Sequence, residues 1–369
     1  MQFEMVSTQE QLTDFLATLD NTPICVDTEF VRTRTFSARL GLLQLSQNGI
    51  ITLIDPIAVP DLKPFWKALD NKSCILHASS EDLEIIRDHK GDLNFTLFDT
   101  QIACAFANLG ASLGYAKMVE TLQGIVVDKG ESRTDWCQRP LSKKQINYAA
   151  ADVVHLTPCL TKLTELLQEK GLFEYFQEEC QTTLDLKMKK LDPMKAYKAI
   201  NNVAKLDRQG VAVIQQLAKW RLQTAQARDL ALNFVIKSDN LWSLAHYRPT
   251  SLEDLRRLNL APNEIRIHGN AILSIIADIE KQDANTYPEL SKRLSDYPNY
   301  KKTLKAMREV IQICADDNEI PVELIASKRV INEYLSWSWK LTDAQRQVAP
   351  KPKLLTGWRF KLVGHKFEH

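Results

Sequence analysis

The sequence has few features of a secreted or membrane-bound protein. None of its seven cysteines belongs to a Cys-x-x-Cys pair, and several lie in apolar runs. This usage is typical of reduced thiols in a cytoplasmic protein, so we expect neither a disulfide framework nor a zinc site. The first residues lack a basic segment followed by an apolar one, and we expect no signal peptide. The longest uncharged stretch, residues 100–116, is too polar to cross a membrane.

Two common catalytic motifs are also missing. We find no phosphate-binding P-loop and no serine-hydrolase elbow, so nucleotide hydrolysis and acyl transfer are not expected. The 369 residues are 44% apolar and 25% charged, which is ordinary for a soluble protein of two or three domains.

The net charge of +1 hides an uneven distribution along the chain. Residues 1–205 contain 22 Lys/Arg and 27 Asp/Glu, whereas residues 206–369 contain 25 Lys/Arg and 19 Asp/Glu. An acidic N-terminal part could hold cations, and a basic C-terminal part could approach a polyanion. Charges of this size are also common on solvated surfaces.

Strand and helix patterns alternate in the N-terminal part, which predicts a mixed α/β sheet flanked by helices. Asn48-Gly49 lies between two β-rich runs and predicts a hairpin. The predicted strands cover residues 24–30, 40–46, 50–54, 73–77 and 96–98. The predicted helices cover residues 7–19, 61–69, 80–87 and 142–152, and a further one begins at residue 100.

Strand patterns largely vanish after residue 205, and a near-repeat follows. Residues 227–245 can be aligned with residues 316–335, because in both an apolar pair leads into a step of Lys and Ser. We therefore predict two small all-α bundles behind the α/β domain. The predicted bounds are 1–190 for the α/β domain, 191–205 for a linker, 206–286 for the first helical domain and 287–369 for the second.

Two carboxylates occupy alternate positions of the strand predicted at residues 24–30. Successive strand side chains point to opposite faces, so Asp27 and Glu29 share one face. Adjacent like charges are unfavourable unless a cation or strong donors compensate them. Solvated acids at a strand end would explain an isolated pair, whereas half of a divalent-metal site requires further carboxylates.

The chain supplies those carboxylates at two later positions. Asp82 lies near the start of the helix predicted at residues 80–87. Tyr148 and Asp152 lie four residues apart, on one face of the helix predicted at residues 142–152. Taken alone, a Tyr–Asp pair at that spacing is most often a surface contact.

Together these residues resemble the signature of the DEDDy 3′–5′ exonucleases. The resemblance is carried by the segments VDTEF, HASSEDLE, FDTQIA and TDWCQRPLSKKQINYAAADV. With two helical repeats of the HRDC type behind the signature, nearly the whole chain resembles the ribonuclease D family. The resemblance implies an RNase H-like fold and a site for two divalent ions, Mg²⁺ or Mn²⁺. Hard cations prefer oxygen ligands, which suits a set of carboxylates.

The resemblance also implies a role for each residue of the signature. Asp27 would bridge both ions, Glu29 and Asp152 would complete the ion that activates water, and Asp82 would hold the second ion through water. Glu29 would also touch the terminal 3′-OH. Tyr148 would orient the attacking water through its hydroxyl, because a group with an intrinsic pKa of about 10 is a poor base at neutral pH.

The loop before the helix predicted at residues 142–152 contains candidate RNA contacts. Arg133, Trp136, Gln138 and Arg139 could contact the terminal nucleotides, because arginine suits phosphate and aromatic rings suit bases. Packing of the loop beneath the helix explains the same residues equally well.

Three functions are compatible with the five signature residues and the two helical repeats. The first is a metal-dependent 3′–5′ exoribonuclease that trims structured RNA such as tRNA precursors and releases nucleoside 5′-monophosphates. The second is a DNA exonuclease of the proofreading kind. The third is a non-catalytic RNA-binding protein, although an inactive copy would commonly lack one of the five signature residues. The partner expected in the first case is RNA, and no protein partner is predicted.

Overall fold

The computed structural model describes residues 2–128, 130–131, 133–290 and 292–368. Its N-terminal part is built on a six-stranded sheet in the order β1-β4-β3-β2-β5-β6. Strand β3 runs antiparallel to both of its neighbours, β2 and β4, whereas β1, β5 and β6 each run parallel to a neighbour. The strands are β1 Glu4–Val6, β2 Ile24–Val31, β3 Arg39–Gln47, β4 Ile50–Ile54, β5 Ser73–Leu76 and β6 Thr96–Asp99. Strand β2 is therefore an inner strand of the sheet.

The hairpin predicted at Asn48-Gly49 is confirmed. Gln47 pairs with Ile50 across the turn, and the two central residues have φ of 52° and 80°. Two-residue hairpin turns of this kind need positive φ at both central positions, which Asn and Gly tolerate.

Eight helices among the described residues accompany the sheet and complete what we call the sheet domain. They are α1 Gln9–Thr18, α2 Lys63–Ala68, α3 Ser80–Lys90, α4 Thr100–Phe106, α5 Tyr115–Gln123, α6 Lys143–Val154, α7 Leu156–Glu169 and α8 Phe173–Met188. Capping boxes at Thr8 and Ser142 satisfy backbone donors at the starts of α1 and α6. Helix α8 packs on the sheet through Phe176, whose ring centroid lies 4.6 Å from that of Phe98 on β6. The predicted α/β class is confirmed.

The chain divides into two compact units. The first contains the chain up to Val31, Arg39–Lys189 and the part from Pro298 onward, and the second contains Arg32–Ala38 and Lys190–Tyr297. The second helical domain thus shares a unit with the sheet domain. The domain bounds given above stay a prediction.

The second unit contains the first helical domain, the residues that flank it and the short segment that follows β2. Its helices are α9 Arg208–Ala227, α10 Leu232–Val235, α11 Ser238–Tyr247, α12 Leu252–Arg257 and α13 Pro262–Glu280. Phe36 packs against their apolar core. The backbone N–H of Ala231 donates to the carbonyl of Arg34 at 2.8 Å, and the N–H of Ser37 donates to the Asp229 carboxylate at 2.9 Å. These contacts make the segment part of this unit.

The second helical domain is anchored on α8 of the sheet domain. Its helices are α14 Tyr300–Asp317, α15 Val322–Ile325, α16 Lys328–Lys340, α17 Asp343–Val348 and α18 Gly357–Leu362. Trp358 is 1% exposed, and its ring centroid lies 5.1 Å from that of Phe106 on α4. Buried Glu179 on α8 accepts hydrogen bonds from Arg359, from the Trp358 indole and from Lys353.

All seven cysteines are free thiols, as predicted. None of the described helices has the length and apolar character needed to cross a membrane.

Candidate metal centre

Strand β2 places two carboxylates on one face, in the lining of a cleft. Asp27 and Glu29 are both partly buried, and the alternation of the strand directs them to the same side. One carboxylate oxygen of each, together with one oxygen of Asp152, lies within 4.8 Å of the other two. We call Asp27, Glu29 and Asp152 the three-acid group.

Helix α6 supplies the third acid and a tyrosine on the same face. Its start is fixed by the Ser142 capping box, in which Gln145 takes part. The Gln145 amide also donates to the hydroxyl of Thr134 at 3.1 Å, which ties the preceding loop to the helix. One turn further along, the Tyr148 hydroxyl hydrogen-bonds the Asp152 carboxylate. The predicted i, i+4 pair is therefore a contact inside the cleft.

Asp82 approaches the three-acid group from another element. It lies in the first turn of α3, is 7% exposed and lines the same cleft of about 350 Å³. Its Oδ1 accepts a hydrogen bond from the hydroxyl of Thr28 at 2.5 Å. The structure thus brings together all five residues of the predicted signature, with Asp82 outside the three-acid group.

Burial and mutual repulsion keep these acids from ionising easily. Burial, followed by repulsion from Asp82, Asp152 and Glu29, raises the pKa of Asp27 well above its usual range. Burial and the same kind of repulsion raise the pKa of Glu29 to about 9. Burial raises the pKa of Asp152 to about 7 and that of Asp82 to about 6, against the lowering effect of their hydrogen bonds to Tyr148 and Thr28.

This donor set fits divalent metal ions. Clustered carboxylates in a partly dry cleft are costly unless positive charge compensates them. Carboxylate oxygens are the ligands that Mg²⁺ and Mn²⁺ prefer. Bound divalent cations would offset the burial and mutual repulsion that raise the pKa values of Asp27 and Glu29.

The thermal stabilisation produced by Mg²⁺ should grow with pH. Between about pH 4, where these acids ionise in an unfolded chain, and pH 9, near the pKa of Glu29, these four acids bind more protons in the folded metal-free protein than in the unfolded one. Their contribution to stability therefore falls as pH rises. Bound Mg²⁺ removes that penalty, so the gap in Tm between Mg²⁺ and chelator should be wider at pH 8.5 than at pH 6. A gap independent of pH, measured by differential scanning fluorimetry, would contradict the assignment.

The loop residues predicted to touch RNA divide into two pairs. Trp136 is 1% exposed, and its ring centroid lies 6.1 Å from that of Tyr148. Arg139 donates to the Asp55 carboxylate at 2.6 and 2.7 Å and to the carbonyl of Gly41 at 2.6 Å. These contacts give Trp136 and Arg139 a packing role. Arg133 and Gln138 are exposed, and the RNA-contact prediction is kept for them.

The backbone of this loop passes close to Gly41 on β3 at Trp136. A Cβ at Gly41 would lie 2.6 Å from the backbone oxygen of Trp136, so only glycine fits there. The register of β2 against β3 shifts at this point, since Glu29 pairs with Leu42 and Phe30 with Leu40. No feature of the sequence predicted this shift of register in β2, the strand that carries Asp27 and Glu29.

Two further residues line the cleft without belonging to the predicted signature. The Nδ1 atom of His77 lies 2.9 Å from the hydroxyl of Thr100. The Tyr115 hydroxyl donates to the carbonyl of Ala151 on α6 at 2.5 Å. Burial raises the pKa of Tyr115 and lowers that of His77, so both are neutral wall residues at physiological pH. No spacing pattern in the sequence predicted a place for Tyr115 in the cleft.

Comparisons with known proteins agree with this arrangement. Family models match a 3′–5′ exonuclease over residues 3–168, an HRDC domain over residues 211–276 and a ribonuclease D C-terminal HRDC domain over residues 298–367. Ribonuclease D of Psychromonas ingrahamii is 69% identical over the full length of both chains. Ribonuclease D of Escherichia coli is 39% identical and covers 98% of this chain and 96% of the relative.

A solved structure gives the same result. The crystal structure of Escherichia coli RNase D, described as an exoribonuclease involved in structured RNA processing, matches with a TM-score of 0.94 at 38% identity. The match covers 99% of this chain and 97% of the other. Fold and cleft therefore define a 3′–5′ exonuclease followed by two HRDC domains. The chain belongs to the ribonuclease D family. The predicted resemblance, fold class and 3′–5′ exoribonuclease activity are confirmed.

Proposed function

We propose that the protein trims the 3′ ends of structured RNA, such as tRNA precursors, by hydrolysis at two divalent ions. The observation that carries the proposal is the convergence of four carboxylates and a tyrosine hydroxyl in one cleft. When bound, two such ions lower the pKa of a water and stabilise the charge that develops on the leaving oxygen. The products would be nucleoside 5′-monophosphates, and the Escherichia coli relative supports structured RNA as the substrate class.

The family resemblance suggests a role for each acid, and we propose those roles here. Asp27, on the inner strand and in the three-acid group, would bridge both ions. Glu29 and Asp152 would complete the ion beside the attacking water, and Glu29 would also approach the terminal 3′-OH. Asp82, outside the three-acid group, would hold the second ion through water.

Tyr148 would hold the attacking water through its hydroxyl. Burial, followed by repulsion from Asp152 and other acids, raises the pKa of that hydroxyl, so it is a hydrogen-bonding group and not a base at neutral pH. Tyr148→Phe should slow single-turnover cleavage by about 100-fold. RNA affinity should change little, because the ring and its contact with Trp136 remain.

Tyr115→Phe is the matched control for this experiment. It removes a hydroxyl from the same cleft, but one that donates to a backbone carbonyl on α6 and not to an acid. We expect its cleavage rate to stay within a few-fold of the wild-type rate. Equal rates for the two variants, or a loss confined to affinity in Tyr148→Phe, would refute the role given to Tyr148.

The first helical domain is proposed to bind RNA. Residues 32–38 and 190–297 contain 18 Lys/Arg against 12 Asp/Glu. Arg228, Lys237 and Arg266 are exposed. The Lys237 backbone bonds Glu264 in the first turn of α13, Arg266 lies on that helix, and Arg228 acts electrostatically on His268 of the same helix. One face of the second helical domain is already occupied by its contact with α8, which favours the first domain for this role.

Neutralising those three cations should weaken binding and reduce its salt dependence. Each lost phosphate contact should lower the slope of log affinity against log salt by about 0.7–0.9. The variant Arg228→Gln, Lys237→Gln, Arg266→Gln is compared with Lys301→Gln, Lys302→Gln, Arg308→Gln, which removes the same charge from exposed positions of α14. The measurement is tRNA-precursor affinity over a salt series with full-length protein. Equal salt slopes for the two triple variants would show that the first helical domain does not supply these phosphate contacts.

The free cysteines are consistent with a cytoplasmic location, which we also propose.

A further inference from the structure

Thr28 lies between Asp27 and Glu29 on β2, and its backbone N–H hydrogen-bonds the Asp27 carboxylate. Its hydroxyl donates to Oδ1 of Asp82 at 2.5 Å. Thr28 is 5% exposed and Asp82 is 7% exposed, so water competes little for this bond. A short hydroxyl–carboxylate bond in a buried place is among the strong hydrogen bonds of proteins.

A second contact fixes the backbone from which Asp82 projects. The turn before α3 contains Ala78, with φ of 54°, and Ser79. The carboxylate of Asp99, 3% exposed at the end of β6, accepts from the N–H of Ala78 at 3.2 Å. It also accepts from the N–H and the hydroxyl of Ser79 at 2.8 and 2.7 Å. Asp99 on β6 therefore fixes the backbone at the start of α3, and Thr28 on β2 binds the Asp82 carboxylate itself.

The contacts from Thr28 and Asp99 together restrict the orientation of the Asp82 carboxylate. The Thr28 hydroxyl engages Oδ1, and backbone hydrogen bonds from Thr28 and from Asp82 itself also reach the carboxylate. Because a carboxylate has about four lone-pair sites, it can still accept an ion or water bound to an ion. Asp82 is also the one acid of the four outside the three-acid group, so its action depends on the direction in which its carboxylate points. A β-branched side chain on a strand has restricted χ1, which presets the direction of the Thr28 hydroxyl.

We infer that Thr28 is a positioning residue for the second metal ion: it fixes the Asp82 carboxylate with one oxygen directed into the cleft. The inference rests on the proposed two-ion function. Partners outside the ligand shell commonly affect metal affinity or activity by about 10–100-fold. Thr28 acts through Asp82 and need not touch substrate.

The test uses full-length Thr28→Val, which keeps the shape but removes the donor, and Thr28→Ser, which keeps the donor. Mn²⁺ binding is measured by electron paramagnetic resonance in the presence of AMP, a product of the proposed reaction. Single-turnover RNA cleavage is followed over a Mg²⁺ series. In Thr28→Val we expect the ion of the three-acid group to be retained and the second ion to bind about 10–100-fold more weakly. The cleavage curve should shift to higher Mg²⁺ by a similar factor, and Thr28→Ser should restore both readouts.

Two controls separate this role from a loss of packing. Thr52→Val removes a hydroxyl from a 1% exposed threonine on β4, which lines a different cavity, and should leave both readouts unchanged. In an Asp82→Asn background, Thr28→Val should have no further effect, because the residue through which it acts is already disabled. Should Thr28→Val fail to fold, Thr28→Ser and Thr28→Ala differ at the hydroxyl and give the same comparison.

The inference is overturned if Thr28→Val matches Thr52→Val in both readouts. It is also overturned if both ions are weakened equally, or if Thr28→Val and Asp82→Asn add independently. Failure of the proposed function has a different outcome, since Asp27→Asn would then cleave RNA normally whatever Thr28 does.

Discussion

Asp27→Asn is expected to reduce Mg²⁺-dependent cleavage by at least about 1,000-fold, which corresponds to ~4 kcal/mol of transition-state stabilisation. The physical reason is that Asp27 is the acid proposed to bridge both ions and lies among the three-acid group. The amide keeps the size of the side chain but removes its charge. Single-turnover cleavage of an end-labelled RNA measures the loss.

The same variant should be more heat-stable than the wild type when no metal is present. Burial, with repulsion from Asp82, Asp152 and Glu29, raises the pKa of Asp27, so the acid destabilises the metal-free fold near neutral pH. Asparagine has no charge to repel. A higher Tm in chelator, together with a smaller Tm rise in Mg²⁺, would show that activity is lost from an intact fold. A folded Asp27→Asn protein with near-normal cleavage would contradict the metal-site assignment.

Arg359→Met should destabilise the first compact unit by ~3–5 kcal/mol, because it leaves a buried carboxylate without its main partner. The Arg359 guanidinium is buried and donates to Glu179 at 2.5 and 3.1 Å. It also donates to the carbonyls of Ile325 and Leu324, each at 2.8 Å. Burial raises the pKa of Glu179. The hydrogen bonds and positive charge of Arg359 are the largest effects in the opposite direction, and the pKa of Glu179 lies at about 2.

Urea unfolding followed by tryptophan fluorescence measures this effect. The surface pair Arg256–Glu253, with side chains 61% and 59% exposed, provides the control. Arg256→Met should cost less than about 1 kcal/mol. The double variant Glu179→Leu, Arg359→Met should recover most of the lost stability, since paired removal leaves no buried charge. A cost for Arg359→Met no larger than that of Arg256→Met would show that the contact between α8 and α18 is not a stabilising one.

The sequence predicted those parts of the site that depend on local spacing. Asp27 and Glu29 share a face because strands alternate, and Tyr148 and Asp152 share a face because a helix repeats every 3.6 residues. The Asn48-Gly49 hairpin followed from turn chemistry in the same way. None of these inferences needs a contact between distant parts of the chain.

The parts that could not be predicted depend on long-range packing. The Thr28–Asp82 bond joins residues 54 positions apart, and the Glu179–Arg359 pair joins residues 180 positions apart. No periodicity in the sequence specifies such partners. Arg139 illustrates the same limit, because arginine in a loop beside an active site suits phosphate, but here its guanidinium binds Asp55 of the sheet domain.

The most direct test of the central claim is the digestion of a 5′-labelled structured RNA with a single-stranded 3′ end, beside a DNA of the same sequence, in Mg²⁺ and in chelator. The site described here predicts a ladder of RNA products shortened one nucleotide at a time from the 3′ end in Mg²⁺. It predicts intact RNA in chelator and slower digestion of the DNA. An unchanged ladder in chelator, or internal fragments in place of the ladder, would contradict a metal-dependent 3′–5′ exoribonuclease built on Asp27, Glu29, Asp82 and Asp152.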